Sequence, residues 1–123
     1  YPFVKFSVPI KLVNALNVRD HWTVRAKRAK QQRNTVRMVV KSYWPTRLVN
    51  SDKYTITITR IGKRRMDGDG LSASAKHVRD GIADALGIDD GSPRLTWLYE
   101  QRTDKEYGVE IEIKEENHDA RTT

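Results

Sequence analysis

The period of the apolar pattern changes sharply in the middle of the chain, and that change limits the fold more than any other feature. Tyr54, Ile56 and Ile58 alternate with Thr55, Thr57 and Thr59, a two-residue period that fits a half-buried strand rich in β-branched side chains. From Leu71 the step lengthens. Leu71, Ala75, Val78, Ile82 and Leu86 recur every three or four residues, which places them on one face of a helix, with Gly87 as its C-terminal stop. Alternation then returns in Leu95, Trp97 and Tyr99, and again in Tyr107, Val109, Ile111 and Ile113. These two strands, joined through Arg102 to Glu106, read as a hairpin.

Upstream, Val4, Phe6, Val8, Ile10 and Leu12 alternate as a first strand. A long helix follows, capped by Asp20 and stopped at Pro45, with Trp22, Ala26, Ala29, Val36, Val40 and Tyr43 as its apolar stripe and Arg33 interrupting it. The order β-α-β-α-β-β predicts an α+β fold, one mixed β-sheet with two helices, parallel in its β-α-β units and antiparallel in the hairpin. Residues 1–115 read as one domain and residues 116–123 as a flexible polar tail. There is no long uncharged apolar run and no charged start followed by an apolar block, so neither a membrane span nor a signal peptide is expected. The absence of Cys removes disulfides, thiolate zinc sites and cysteine nucleophiles, and fits a cytoplasmic protein.

Charge is divided along the chain. Residues 1–66 hold 16 Lys and Arg against 2 Asp and Glu, whereas residues 67–123 hold 7 against 14. A basic half of that size attracts polyanions, of which nucleic acid is the commonest in a cell; the alternative is that the two halves pair or simply keep the protein solvated. Arg25, Arg28, Arg33, Lys63, Arg64, Arg65 and Arg79 are the candidate phosphate contacts. For Lys63 to Arg65 the competing reading is an edge charge that blocks aggregation. Trp22, Trp97 and Tyr99 read as core residues rather than base-stacking platforms.

The acidic half carries the candidate chemistry. Asp67 and Asp69 flank Gly68 at the strand-to-helix turn, and Asp89 and Asp90 precede Gly91 at the next helix-to-strand turn. Gathered about 5 Å apart, such carboxylates repel by roughly 3 kcal/mol per pair at an effective dielectric near 20, a conflict that a divalent cation removes. Carboxylates without Cys or a His cluster suit Mg²⁺, or Mn²⁺, and such an ion can activate water against a phosphodiester. Each pair has a plainer reading as turn chemistry. The run from Asp67 also begins like a calcium loop, but Leu71 and Val78 occupy positions that need ligands. Lys76, seven residues after Asp69, lies two helical turns along the same face and can stabilise phosphate charge or pair with Asp80. His21, His77 and His118 show no ligand spacing.

The run from Asp67 to Leu71, followed by Lys76 and by Val78 to Asp90, resembles the Asp-x-Asp-Asn-Leu…Lys…Asp-Ala-Leu…Asp-Asp core of the RusA family of Holliday-junction resolvases, particularly its phage-borne branch. Asn17 to Trp22 resembles an early segment of that branch. The resemblance implies a homodimeric, magnesium-dependent endonuclease that cuts four-way DNA junctions in recombination and repair, in a bacterial cell or a phage-infected host. It matches Asp67 and Asp69 to the first acidic pair and Asp90, with Asp89 beside it, to the distal aspartate. Lys76 stands about one turn farther from the pair than the lysine of some members. Gly70 departs most clearly, because the family pattern has Asn there. That departure favours an alternative, a junction- or DNA-binding protein with weak or no nuclease activity. A third reading is a nucleic-acid-binding module whose acids only organise turns.

Overall fold

A computed structural model describes residues 3–12, 22–43 and 53–116. Along the chain they form β1 (Phe3–Val8), α1 (Trp22–Tyr43), β2 (Lys53–Gly62), α2 (Gly68–Ser74), α3 (Lys76–Leu86), β3 (Leu95–Thr103) and β4 (Gly108–Glu116). The expected class holds: the four strands form one mixed sheet, in the order β1-β4-β2-β3, and helices pack against it. The Asp20 cap, the Pro45 stop and the Asn17 to His21 part of the family-like segment lie outside the described residues. So does the tail beyond Glu116, which belongs to β4 rather than to the tail.

The pairing differs from the expected hairpin. β3 lies parallel to β2, with Tyr54 opposite Leu95 and Arg60 opposite Gln101. β4 is antiparallel to both β1 and β2, with Ile111 opposite Phe6 on one side and Ile58 on the other. β4 thus separates β1 from β2 and is not paired with β3 in the sheet. The reason lies in burial: Val109, Ile111 and Ile113 are all 0% exposed, and a central position gives them neighbours on both sides that an edge hairpin lacks.

The core forms where the inward row of the sheet meets the helices. Phe6, Val8, Tyr54, Ile56, Ile58, Val109, Ile111 and Ile113 pack against Val36 and Val40 of α1, against Ala75, and against Val78, Ile82 and Leu86 of α3. Burying each of the larger aliphatic side chains contributes roughly 1.5–3 kcal/mol. Trp22 is 67% exposed, so the stripe of α1 narrows to its C-terminal half. Trp97 and Tyr99 are partly buried against the core, as expected.

The second helix is two helices. The Ala75 backbone turns between α2 and α3, while Leu71, Ala75, Val78, Ile82 and Leu86 all remain buried. Gly87 ends α3 at φ 71°, and its N–H donates to the Ala83 and Asp84 carbonyls. This left-handed cap satisfies carbonyls at the helix end. α3 approaches α1 closely at Gly81, where a Cβ would stand 2.6 Å from the Arg33 carbonyl oxygen. No helix among the described residues is long and apolar enough to cross a membrane.

Candidate nucleic-acid and metal site

The proximal acids sit where β2 hands over to α2. Asp67 is the N-cap of α2, with φ −70° and ψ 167°, and its Oδ1 accepts the Gly70 N–H at 2.6 Å. A short side-chain acceptor at this place satisfies a backbone donor that the first helical turn leaves open. Asp69 lies in that first turn and is exposed. Gly70 is helical and buried, and the one positive-φ glycine among the described residues is Gly87. One oxygen of Asp67 and both of Asp69 are left as hard donors, a set that suits a Mg²⁺ held by one or two carboxylates and completed by water and phosphate oxygens.

The segment leading into this turn is fixed from below. Gln101 on β3 accepts the Met66 N–H through Oε1 at 2.8 Å and donates Nε2 to the Met66 carbonyl at 2.7 Å. Its neighbour across the ladder, Arg60, donates Nη1 to the Arg64 carbonyl. Lys63, Arg64 and Arg65 stay exposed beside the acidic turn. The Lys63 ammonium stands 5.9 Å from the Tyr107 ring centroid and that of Lys11 4.4 Å from the same ring, within the usual range for cation–π attraction.

The distal pair is held differently. The Asp90 carbonyl accepts from Arg79 Nη2 at 3.0 Å and from the Trp97 indole at 2.9 Å. Arg79 also donates Nη1 to the Tyr99 hydroxyl at 3.1 Å and stacks 4.8 Å from the Trp97 ring centroid. Its Nε faces the Asp90 carboxylate at 3.3 Å, an ion-pair contact without hydrogen-bond geometry, since that nitrogen is buried with no hydrogen-bond partner. Arg79 therefore clips the Asp89–Asp90 turn to β3, and Asp89 remains exposed.

The two pairs are thus anchored at different points along one strand, the proximal through Gln101 and the distal through Trp97. Four residues of strand separate these anchors, about 13 Å. Among the described residues no three Asp, Glu, His or Cys side chains gather around a common point. Lys76 opens α3 beyond the break at Ala75, so the seven-residue spacing from Asp69 does not run along one helix axis, and no ion pair joins it to Asp80.

The other candidate cations divide. Arg25 and Arg28 border a cleft of about 100 Å³ between α1 and the α2–α3 junction, with Gln32, Ser74 and His77. Burial holds the His77 imidazole below its ordinary value of 6.5, outweighing the nearby Asp80. Arg33 faces Asp84 instead, at 2.6 Å through Nε and 2.9 Å through Nη2, joining α1 to α3. Hydrogen bonding from Arg33 holds the Asp84 carboxyl below its ordinary value. Arg33 and Arg79, expected as phosphate contacts, each stand within ion-pair distance of a carboxylate of the chain, Asp84 and Asp90. The Arg79 clip, the Gln101 clamp and buried Arg60 were not singled out from sequence; of these, only Arg60 carried a signal, as a charge at an inward position of the β2 alternation.

No family model matches this chain. It is 38% identical over 78 residues to an uncharacterized protein of Xylella fastidiosa, covering 60% of this chain and 51% of that protein. The chain therefore spans about half the length of the curated relative it matches.

Proposed function

We propose that this chain is a divalent-metal-dependent endonuclease acting on branched DNA such as a four-way junction, in the recombination and repair chemistry of a bacterial or phage-infected cytoplasm. The observation that carries this reading is the β2–α2 handover. There, two carboxylates with free hard oxygens, Asp67 and Asp69, open a helix directly after the exposed Lys63, Arg64 and Arg65. Cations beside such a pair serve to hold phosphate and position it, without reading base sequence. Asp67 and Asp69 would hold Mg²⁺ or Mn²⁺, and the ion when bound supplies polarisation of the phosphodiester and an acidified water. The chain's own part is to fix the acidic turn, through the Gln101 clamp and the Asp67 cap, and to bring phosphate to it with the neighbouring cations.

Among the described residues the proximal and distal carboxylates do not gather as a group of three or more. A second reading, junction binding with weak or no cleavage, is favoured by one observation: among the described residues no three acids gather around a common point, and the Asp90 carboxylate faces Arg79 Nε at 3.3 Å. A synthetic four-way junction incubated with the protein, in Mg²⁺ and in chelator, separates the two. Metal-dependent paired nicks support the nuclease; retention of the junction without nicks supports the binding protein. Failure to bind a junction, or any DNA, sinks both.

A further inference from the structure

Arg60 occupies the wrong kind of position for a charge. From Tyr54 onward β2 alternates buried and half-buried residues, and Arg60 continues the inward row of Tyr54, Ile56 and Ile58 at 7% exposure. A guanidinium removed from water needs a counter-charge or a full set of acceptors, because desolvation otherwise goes uncompensated. Arg60 has neither. Nη1 donates to the Arg64 carbonyl, Nε is buried with no acceptor, and no carboxylate among the described residues pairs with it. The group is packed against Gly62, where a single added carbon would stand 2.7 Å from Nη2. A smaller or apolar residue would fill this row at less cost. A charge at a core position against the local pattern is expected at functional or strained sites.

We propose that Arg60 is the buried cation of an anion site formed by the β2–α2 loop, and that its ligand is a backbone phosphate of nucleic acid. Two features place the anion here. The loop presents Lys63, Arg64 and Arg65 outward, and Arg60 lies at its base, joined to its backbone through the Arg64 carbonyl. The assignment rests on the nucleic-acid reading for the identity of the phosphate donor, but not for the anion site itself.

The experiment compares the parent with Arg60→Leu and Arg60→Lys in two measurements. In the first, metal-free DNA affinity is followed against salt. Arg60→Leu is expected to weaken binding about ten- to a hundredfold and to flatten the slope of log K on log[salt] by about 0.9, one phosphate's share on duplex DNA. Arg60→Lys keeps the slope. In the second, thermal unfolding is measured in chloride and in inorganic phosphate at matched ionic strength. In chloride, Arg60→Leu should melt higher than the parent, since a desolvated charge has been removed, and phosphate should raise the midpoint of the parent but not of the Leu variant. A Leu variant that melts lower and binds DNA with unchanged affinity and slope would make Arg60 a structural cation and overturn the proposal. If the parent binds no DNA yet gains stability from phosphate through Arg60, the nucleic-acid reading fails and the anion site stands. Absence of both effects removes the site.

Discussion

At the scale of single residues, function turns on which charges are spent inside the molecule. Arg79 and Arg64 look alike in sequence, yet Arg64 is exposed, whereas the Arg79 side chain is 29% exposed and tied to Tyr99, Trp97 and Asp90. The Asp90 side chain is 41% exposed, so solvent screens the ion pair and the hydrogen bonds carry most of the clip's worth. Arg79→Met is therefore expected to destabilise the fold by about 1–2 kcal/mol and to shift the Trp97 indole N–H resonance, while leaving the salt dependence of DNA binding unchanged. An unchanged melting point with a flatter salt slope would instead make Arg79 a phosphate contact. Sequence cannot distinguish these roles, because a cation's partner is set by tertiary placement and not by its neighbours along the chain.

At the scale of elements, α1 and α3 are joined by shape and by charge at adjacent points. Gly81 lets the backbones close, and a Cβ there would meet the Arg33 carbonyl at 2.6 Å and the Val36 Cβ at 3.0 Å. Neither atom can rotate away. Gly81→Ala gains about 1 kcal/mol of helix propensity but overpacks the contact at a cost of about 1–3 kcal/mol or more. The expected result is a lower urea midpoint with the m-value unchanged, and a raised midpoint would contradict the close approach. Next to it, Asp84 is held below its ordinary value of 3.8, chiefly by hydrogen bonding from Arg33. Its folded form thus binds a proton less readily than its unfolded form, so the pair's stabilisation is fully present above pH 3.8 and is lost as pH falls through the lowered value. The melting temperature of Asp84→Asn should therefore fall less steeply than that of the parent below that pH. Parallel pH profiles would remove Asp84 from the acid transition. The strands and helical faces were legible because period alone reveals them. Strand partners were not, since alternation in β3 and β4 says which face is inward and nothing of which neighbour each takes. The break at Ala75 was equally hidden, because the buried stripe continues through it.

At the scale of the whole molecule, the basic and acidic stretches of the chain meet at the β2–α2 handover. The exposed Lys63, Arg64 and Arg65 of the β2–α2 loop stand beside the acidic turn, and Arg25 and Arg28 of α1 border the cleft at the α2–α3 junction. One sheet face instead carries Lys5, Arg102 and Glu110, paired at 2.9 Å and 3.0 Å, with Glu110 held low chiefly by its bond to Lys5. DNA binding through the first surface should weaken steeply with salt, with a slope near −5 if about six phosphates are engaged, and a slope near zero would remove that surface from the binding account. The candidate site was legible to the extent that Asp-Gly-Asp-Gly after a basic run marks a turn with hard donors. Its incompleteness on one chain was not, because separation between turns depends on strand pairing. The most direct test of the central claim is cleavage of a synthetic four-way junction in Mg²⁺ by the parent and by Asp69→Asn, with binding measured alongside. Asp69 caps nothing and is exposed, so its substitution should leave the fold and junction binding intact, while metal-dependent cleavage by the parent falls to background in the variant. Cleavage by Asp69→Asn at the parent's rate would contradict the assignment of this turn as the metal-holding centre.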